Sequence, residues 1–163
     1  MKIQATISLC VLLACNAQAQ PSGFTGYYAG AQLGVNHSKA SSGTQDTTHT
    51  VGYPSLVAGH NFVKNGTLLG AEFFADMHTN SVTNKDVGVA FKMGKVWGPW
   101  AAYGRAGLTC CSPSGRPQLG AGVEYLINRQ FSIVGQYTTD KDTSESTRYT
   151  NRSLSVGVNY HFR

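Results

Sequence analysis

From residue 24 onward, apolar side chains alternate with small or polar ones at a period of two residues. This alternation is typical of β-strands that have one apolar face. It is clearest in the last segment, where every second residue is apolar, at Leu154, Val156, Val158, Tyr160 and Phe162. Seven upstream segments repeat the pattern, so the sequence predicts eight strands, over residues 26–35, 56–62, 69–77, 86–94, 102–109, 118–125, 131–138 and 153–162.

The connections between these segments alternate in length. Short ones occur at 63–66, 95–99 and 127–130, and the first contains Asn65-Gly66, a strong hairpin signal. Longer polar connections are predicted at 37–50, 78–84, 110–116 and 139–151. Short turns at one end and long loops at the other are typical of transmembrane β-barrels. The predicted fold is therefore all-β, an eight-stranded antiparallel up-and-down transmembrane β-barrel with both termini on the periplasmic side.

Alternation alone does not decide which face points outward. A soluble eight-stranded barrel such as a lipocalin would be apolar inside and polar outside. The opposite arrangement is favoured because the less apolar faces carry the charged residues Glu72, Lys92, Arg105 and Glu124, which an apolar interior would not accept. The apolar faces also end in aromatic residues, as the interfacial girdles of membrane barrels do; these are Tyr27, Phe62, Tyr125, Phe131, Tyr160 and Phe162. Outer-membrane lipid is the partner that this arrangement predicts.

The first 20 residues differ from the rest and predict export. Lys2 precedes an apolar run over 3–13, and Ala17-Gln18-Ala19 provides the small-x-small pattern of signal-peptidase sites. We expect a signal peptide over 1–19, cleaved after Ala19, and a barrel domain over 20–163. An alternative in the same segment is Leu12-Leu13-Ala14-Cys15, which resembles a lipobox and would make Cys15 a lipidated N-terminus.

Composition narrows the choice of partners. After residue 20 no stretch approaches 18 consecutive apolar residues, so the sequence predicts no transmembrane helix. The formal net charge is +5, but the basic residues are scattered singly, so no nucleic-acid partner is expected. Cys110 and Cys111 are adjacent and have no His or Cys partner at metal-ligand spacing. We therefore expect no metal and no cofactor.

Four motifs in order resemble the opacity-protein/OmpA-like family of small eight-stranded outer-membrane barrels. They are 24–34 (FTGYYAGAQLG), 120–125 (GAGVEY), Gln136-Tyr137 and 156–162 (VGVNYHF). The resemblance implies a location in the outer membrane of a Gram-negative bacterium. It also implies insertion by the barrel-assembly machinery, which reads the C-terminal strand formed by Leu154, Val156, Val158, Tyr160 and Phe162. Arg163 departs from the family, whose members usually end on the aromatic residue itself.

The charged residues of the inner faces form the candidate site. Glu72, Lys92, Arg105 and Glu124 fall on the third to sixth predicted strands, a few residues from the short turns. Neighbouring strands lie about 5 Å apart, so we expect these opposite charges to meet at similar height in the lumen. The set is interpreted as a salt-bridge network that fills the interior, or alternatively as the gate of a narrow pore. A general porin is not expected, because open channels need roughly 16 strands.

Catalysis is not expected. The candidate bases are His37, His49, His60, His78 and His161, and none is accompanied by a recognisable nucleophile and acidic residue. The polar segments 37–50 and 139–151 are the remaining candidates for function, as surfaces for a host or environmental ligand. The sequence therefore predicts a non-enzymatic barrel with a structural or surface-interaction role, adhesin-like or antigen-like. A narrow gated pore and a lipid-modifying barrel enzyme are the alternatives.

Overall fold

In the computed structural model, eight antiparallel strands close into a barrel. The model describes residues 23–42, 45–77, 86–110, 115–144 and 147–162. Each strand pairs with the next, and the last pairs with the first, which confirms the predicted fold class. The strands are β1 (Gly26–Ser42), β2 (Gln45–Lys64), β3 (Thr67–Asp76), β4 (Asp86–Trp97), β5 (Trp100–Cys110), β6 (Arg116–Leu126), β7 (Phe131–Ser144) and β8 (Thr147–His161).

The apolar faces point outward, as predicted. Leu33, Phe73 and Leu119 expose 62–70% of their surface, whereas Lys92 and Glu124 in the lumen expose none. A belt of exposed apolar side chains around the whole barrel would not be stable in water, because large exposed apolar patches drive association. Lipid acyl chains would cover the apolar outer surface, and the polar side chains of the lumen would contact one another. The structure therefore has the arrangement of a membrane barrel and not that of a lipocalin.

The short connections form tight turns at one end of the barrel. Asn65 and Gly66 both have positive φ, of 51° and 70°, which matches the twist that antiparallel strands need in a two-residue hairpin. In the third turn, the Asn128 side-chain oxygen accepts hydrogen bonds from the backbone N–H groups of Gln130 and Phe131, at 2.8 and 2.9 Å. These turns fix the register of the strands, and we refer to their end of the barrel as the periplasmic end.

Two of the loop predictions, 37–50 and 139–151, are wrong, because most of these residues continue the neighbouring strands. Residues 37–42 and 45–50 fall within β1 and β2, which stay paired as far as Ser42 opposite Gln45. Residues 139–144 and 147–151 likewise fall within β7 and β8, paired as far as Ser144 opposite Thr147. Above the lipid the outer face of a strand meets water instead of acyl chains, so the apolar alternation disappears although pairing continues. The many threonines of 47–50 retain a high β-propensity there.

Several sequence predictions lie outside the described residues. They include the signal segment with Ala17, Ala19 and the alternative Cys15, the connection over 78–84, and Cys111. Among the residues that the structure describes, no helix is long and apolar enough to cross a membrane.

Aromatic side chains fill much of the lumen by packing against glycines on neighbouring strands. A Cβ added at Gly59 of β2 would lie 2.6 Å from the hydroxyl of Tyr28 on β1. Gly122 of β6 makes the same space for the ring of Tyr103 on β5, whose nearest atoms would lie 2.6 Å from an added Cβ. The inward-facing glycines thus allow large rings to lie flat inside a narrow barrel.

Candidate functional site in the barrel lumen

Three groups of buried polar side chains lie along the axis of the barrel. The lower cluster, nearest the periplasmic end, consists of Glu124, Ser132, Asn159 and His161. The middle cluster consists of Tyr28, Glu72, Lys92 and Arg105. The upper cluster, toward the extracellular end, consists of Asp86, Arg116, Asp140 and Asn151.

The middle cluster is organised around the carboxylate of Glu72. Lys92 Nζ lies 3.2 Å from one oxygen of Glu72, and Arg105 Nε lies 3.2 Å from the other. The Tyr28 hydroxyl donates to Glu72 at 2.6 Å and accepts from Lys92. All three ionic side chains are at most 2% exposed. Burial at this depth requires the charges to satisfy one another, since an unpaired buried charge is very costly.

Aromatic rings stabilise the excess positive charge of the middle cluster. The cluster holds two cations and one carboxylate, so it carries a formal charge of +1. Lys92 Nζ lies 4.3 Å from the ring centre of Tyr28 and 4.9 Å from that of Tyr103, and Arg105 lies 4.3 Å from that of Phe74. A cation over a ring face is attracted to the negative face of the π-system, most strongly where water is excluded.

Glu124 does not lie at the height of the other three predicted residues, so the expectation of one common layer is wrong. Glu72, Lys92 and Arg105 each lie five residues from the periplasmic end of their strand, whereas Glu124 lies two residues from the end of β6. The carboxylate of Glu124 instead contacts the Ser132 hydroxyl, Asn159 Nδ2 at 2.9 Å and His161 Nε2 at 3.2 Å. Three of the four predicted residues thus meet, and the fourth has its own partners.

The lower cluster brings together a serine, a histidine and a carboxylate, a combination that the sequence did not reveal. The three residues lie on the inner faces of β7, β8 and β6 and are 0–1% exposed. In a catalytic triad the histidine uses one ring nitrogen for the serine and the other for the acid. Here the same nitrogen, His161 Nε2, lies 3.0 Å from Ser132 Oγ and 3.2 Å from Glu124. The geometry is that of a buried hydrogen-bond network.

Phe24, which precedes β1, closes the periplasmic end of the lumen. Its side chain is fully buried and belongs to an apolar cluster with Leu68, Ala101, Tyr103 and Val134. Its ring meets that of His161 edge-on, with the ring centres 6.0 Å apart. The first predicted strand begins at residue 26, so the sequence prediction assigns Phe24 to neither face.

The upper cluster is a second ionic network that sequence reasoning missed. Arg116 lies 2.5 Å from Asp86 and 3.4 Å from Asp140, and Asn151 donates to Asp140 at 2.9 Å. Asp86 and Arg116 are the first residues of their strands, and Asp140 falls in a segment predicted to be a loop. Arg116 also falls in a segment predicted to be a loop, so the alternation assigns neither Arg116 nor Asp140 to the inner face.

The remaining histidines lie apart from these clusters. His60 is on the outer face against the Tyr27 ring, at 4.6 Å between ring centres, and His37 lies 3.0 Å from the Thr50 hydroxyl. His49 is exposed on β2, and His78 lies outside the described residues. Among the described residues no group of three or more His, Cys, Asp or Glu side chains is placed to hold a metal ion.

A closed eight-stranded barrel with an apolar outer belt and a polar lumen defines the class of outer-membrane β-barrels. The family model described as "Outer membrane protein beta-barrel domain" matches residues 7–162. The chain therefore belongs to this family, and its place is the outer membrane of a Gram-negative bacterium. A comparison with curated protein sequences gives no match.

Solved structures share the fold. Neisserial surface protein A superposes with a TM-score of 0.56 at 19% sequence identity, covering 85% of this chain and 98% of its own. The outer membrane protein OprG from Pseudomonas aeruginosa gives a TM-score of 0.52 at 13% identity, with 85% and 97% coverage. A chain from the de novo design of transmembrane β-barrels gives 0.50 at 16% identity, also with 85% and 97% coverage. These identities are low, so the likeness concerns the fold alone.

Proposed function

We propose that the protein is a non-enzymatic outer-membrane barrel whose role is surface interaction through an extracellular sheet. The observation that carries this proposal is the continued pairing of four adjacent strands beyond the apolar belt. β1 stays paired with both β2 and β8 as far as Ser42, and β7 stays paired with β8 as far as Ser144. We refer to this four-stranded projection, formed by residues 36–42, 45–51, 139–144 and 147–153, as the extracellular extension.

The extracellular extension reaches well beyond the lipid. Val35 is the last exposed apolar residue of β1, and the strand continues for seven residues to Ser42. At about 3.4 Å per residue and a tilt of about 40°, these residues rise about 18 Å above the apolar belt. Headgroups occupy only about 5–7 Å of that height. A paired sheet presents its side chains in fixed positions, so a ligand loses less affinity to ordering than it would on a flexible loop.

The filled lumen supports a surface role over transport. Three clusters of buried polar side chains and the fully buried Phe24 occupy the interior of a barrel whose diameter leaves little space. We propose that Glu72, Lys92, Arg105 and Glu124 are structural, satisfying one another and their neighbours. If so, the wild-type protein and a Glu72→Gln/Lys92→Met variant are both silent in planar bilayers. Discrete conductance steps in the wild type that change in the variant would establish the gated pore instead.

The geometry of the lower cluster supports the non-enzymatic part of the proposal. The serine and the carboxylate share one histidine nitrogen, and the cluster is enclosed by Phe24. Hydrolysis of phospholipid or lipid A by the purified barrel, abolished by Ser132→Ala, would contradict this part.

The surface role is tested by shortening the extracellular extension without disturbing the barrel. Replacing residues 39–48 and 141–150 each by Asn-Gly leaves Ser38 opposite His49 and Asp140 opposite Asn151, flanking two-residue hairpins. Bacteria that display equal amounts of either protein are compared for adhesion to an epithelial monolayer and for autoaggregation. The expected result is a loss of attachment or aggregation to the level of cells without the protein, while heat-modifiability on a gel is retained. Unchanged adhesion and aggregation at equal surface levels would refute the role.

A further inference from the structure

Charge is distributed unequally between the two surfaces of the barrel. Every carboxylate whose side chain the structure describes faces the lumen: Glu72, Asp76, Asp86, Glu124 and Asp140. The exposed charged side chains of the described residues are all cationic: Lys39, Lys64, Lys95, Arg129, Lys141 and Arg152. Among the side chains that the structure describes, positive charge therefore borders the apolar belt at both rims.

Three of these cations gather on neighbouring strands, on the outer face of the extracellular extension. Thr150 of β8 pairs with Lys39 of β1 on one side and with Lys141 of β7 on the other. Arg152 lies two residues below Thr150 on the same outer face. At about 4.8 Å between strands, the backbones of Lys39 and Lys141 are separated by about 10 Å, with Arg152 about 7 Å along β8 from the line that joins them. We call Lys39, Lys141, Thr150 and Arg152 the headgroup patch.

Within the headgroup patch, Arg152 lies at the level of the lipid headgroups, and Lys39, Lys141 and Thr150 lie just above that level. Leu154 and Tyr137 are the last exposed apolar residues of β8 and β7, and Arg152 and Lys141 follow them by two and four residues. With the same rise and tilt, these cations stand about 5 and 10 Å above the apolar belt. Their side chains point away from the barrel, over the surface that the acyl chains cover, and their aliphatic stems are long enough to reach down to the headgroup layer.

We propose that the headgroup patch binds the phosphate groups of lipid A in the outer leaflet. Arginine and lysine form charge-assisted hydrogen bonds with phosphate oxygens, and the Thr150 hydroxyl lies between them as a neutral donor. A soluble polyanion would be expected at the end of the extracellular extension, whereas these cations lie closer to the membrane and face outward. The acyl chains of a lipid whose phosphate occupies the headgroup patch lie directly below, against Leu154 and Tyr137. The headgroup patch thus holds bound lipid against one side of the barrel.

The test is lipid A binding to the refolded barrel in a neutral glucoside detergent, measured by native mass spectrometry across a lipid titration. The patch variant is Lys141→Gln/Arg152→Gln. The matched control is Lys64→Gln/Lys95→Gln, which removes the same charge from the periplasmic rim. A juxtamembrane cation contributes about fivefold to the affinity for an anionic lipid surface, so we expect the patch variant to bind about 25-fold more weakly. The control is expected to stay within about twofold of the wild type.

Other outcomes overturn the proposal. Equal losses in the patch variant and in the control would show a general charge effect. If the wild-type protein bound dephosphorylated lipid A as tightly as intact lipid A, the acyl chains alone would account for binding. Loss of heparin binding in the patch variant with lipid A binding intact would assign the patch to a soluble polyanion. Heat-modifiability of every variant establishes that the barrel is folded in each comparison.

Discussion

Removing the Glu72 carboxylate should destabilise the barrel more than any other single polar change in the middle cluster. Glu72→Gln preserves the shape of the side chain but leaves Lys92 and Arg105 without the carboxylate that lies 3.2 Å from each. The formal charge of the middle cluster rises from +1 to +2 at side-chain exposures of 1–2%. Breaking a buried ion pair by removing one partner costs about 3–5 kcal/mol. We therefore expect the free energy of unfolding to fall by about 4 kcal/mol.

The assay is reversible urea unfolding of the barrel in lipid vesicles, followed by the fluorescence of Trp97 and Trp100, which border the second periplasmic turn. The double variant Glu72→Gln/Lys92→Met serves as the matched control, because it returns the formal charge of the cluster to +1. It should lose less stability than the single variant, so that the two changes are not additive. A loss below about 1 kcal/mol in Glu72→Gln, or equal losses in the single and double variants, would refute the ionic account of the lumen.

Three further predictions concern packing in the lumen and backbone strain in a turn. Gly59→Ala should lower the unfolding free energy by about 1–3 kcal/mol, measured in the same urea assay, because an added Cβ would meet the Tyr28 ring and the backbone of Ala71; an unchanged midpoint would contradict it. Phe24→Ala should lower the unfolding free energy by about 3–5 kcal/mol, because it leaves a cavity at the periplasmic end of the lumen. If Phe24→Ala lost less stability than Phe62→Ala, which truncates an exposed ring, the buried role of Phe24 would be contradicted. Asn65→Val should slow refolding and lower the unfolding free energy by about 1–2 kcal/mol, since a β-branched residue is strained at a φ of 51°. Lys64→Val is the control, because Lys64 does not have a positive φ. Equal refolding rates in the two variants would contradict the strain at Asn65.

Regular alternation allowed the fold to be predicted from the sequence. The predictions that are wrong concern segments where the alternation ends. Within the lipid, one face of each strand must be apolar, so Leu33 and Phe73 could be assigned to the outer surface without a structure. Above the lipid that requirement disappears, and the sequence predicts a loop over 37–50 although residues 37–42 and 45–50 lie in paired strands.

The candidate site was predictable only in part, because sequence gives the face of a residue but not its height. Glu72, Lys92 and Arg105 meet since each lies five residues from its turn, whereas Glu124 lies only two residues from the end of its strand. Ser132 and Asn159 carry no distinctive signal, because a short polar side chain on an inner face is common to every strand of such a barrel. The buried Phe24 precedes the first strand, so the strand prediction assigns it to neither face.

The seam between the first and last strands governs how this protein can be labelled. β1 and β8 pair from Tyr28 opposite His161 upward, and Phe162 donates a backbone hydrogen bond to Tyr27 at 2.8 Å. Phe24 lies just before this seam with its ring inside the barrel. A tag fused close to residue 24 would compete with the Phe24 ring for the same opening, and a tag at either terminus would emerge on the periplasmic side. Epitopes and dyes intended for the cell surface should instead be placed next to Ser42 at the end of β1 or Ser144 at the end of β7.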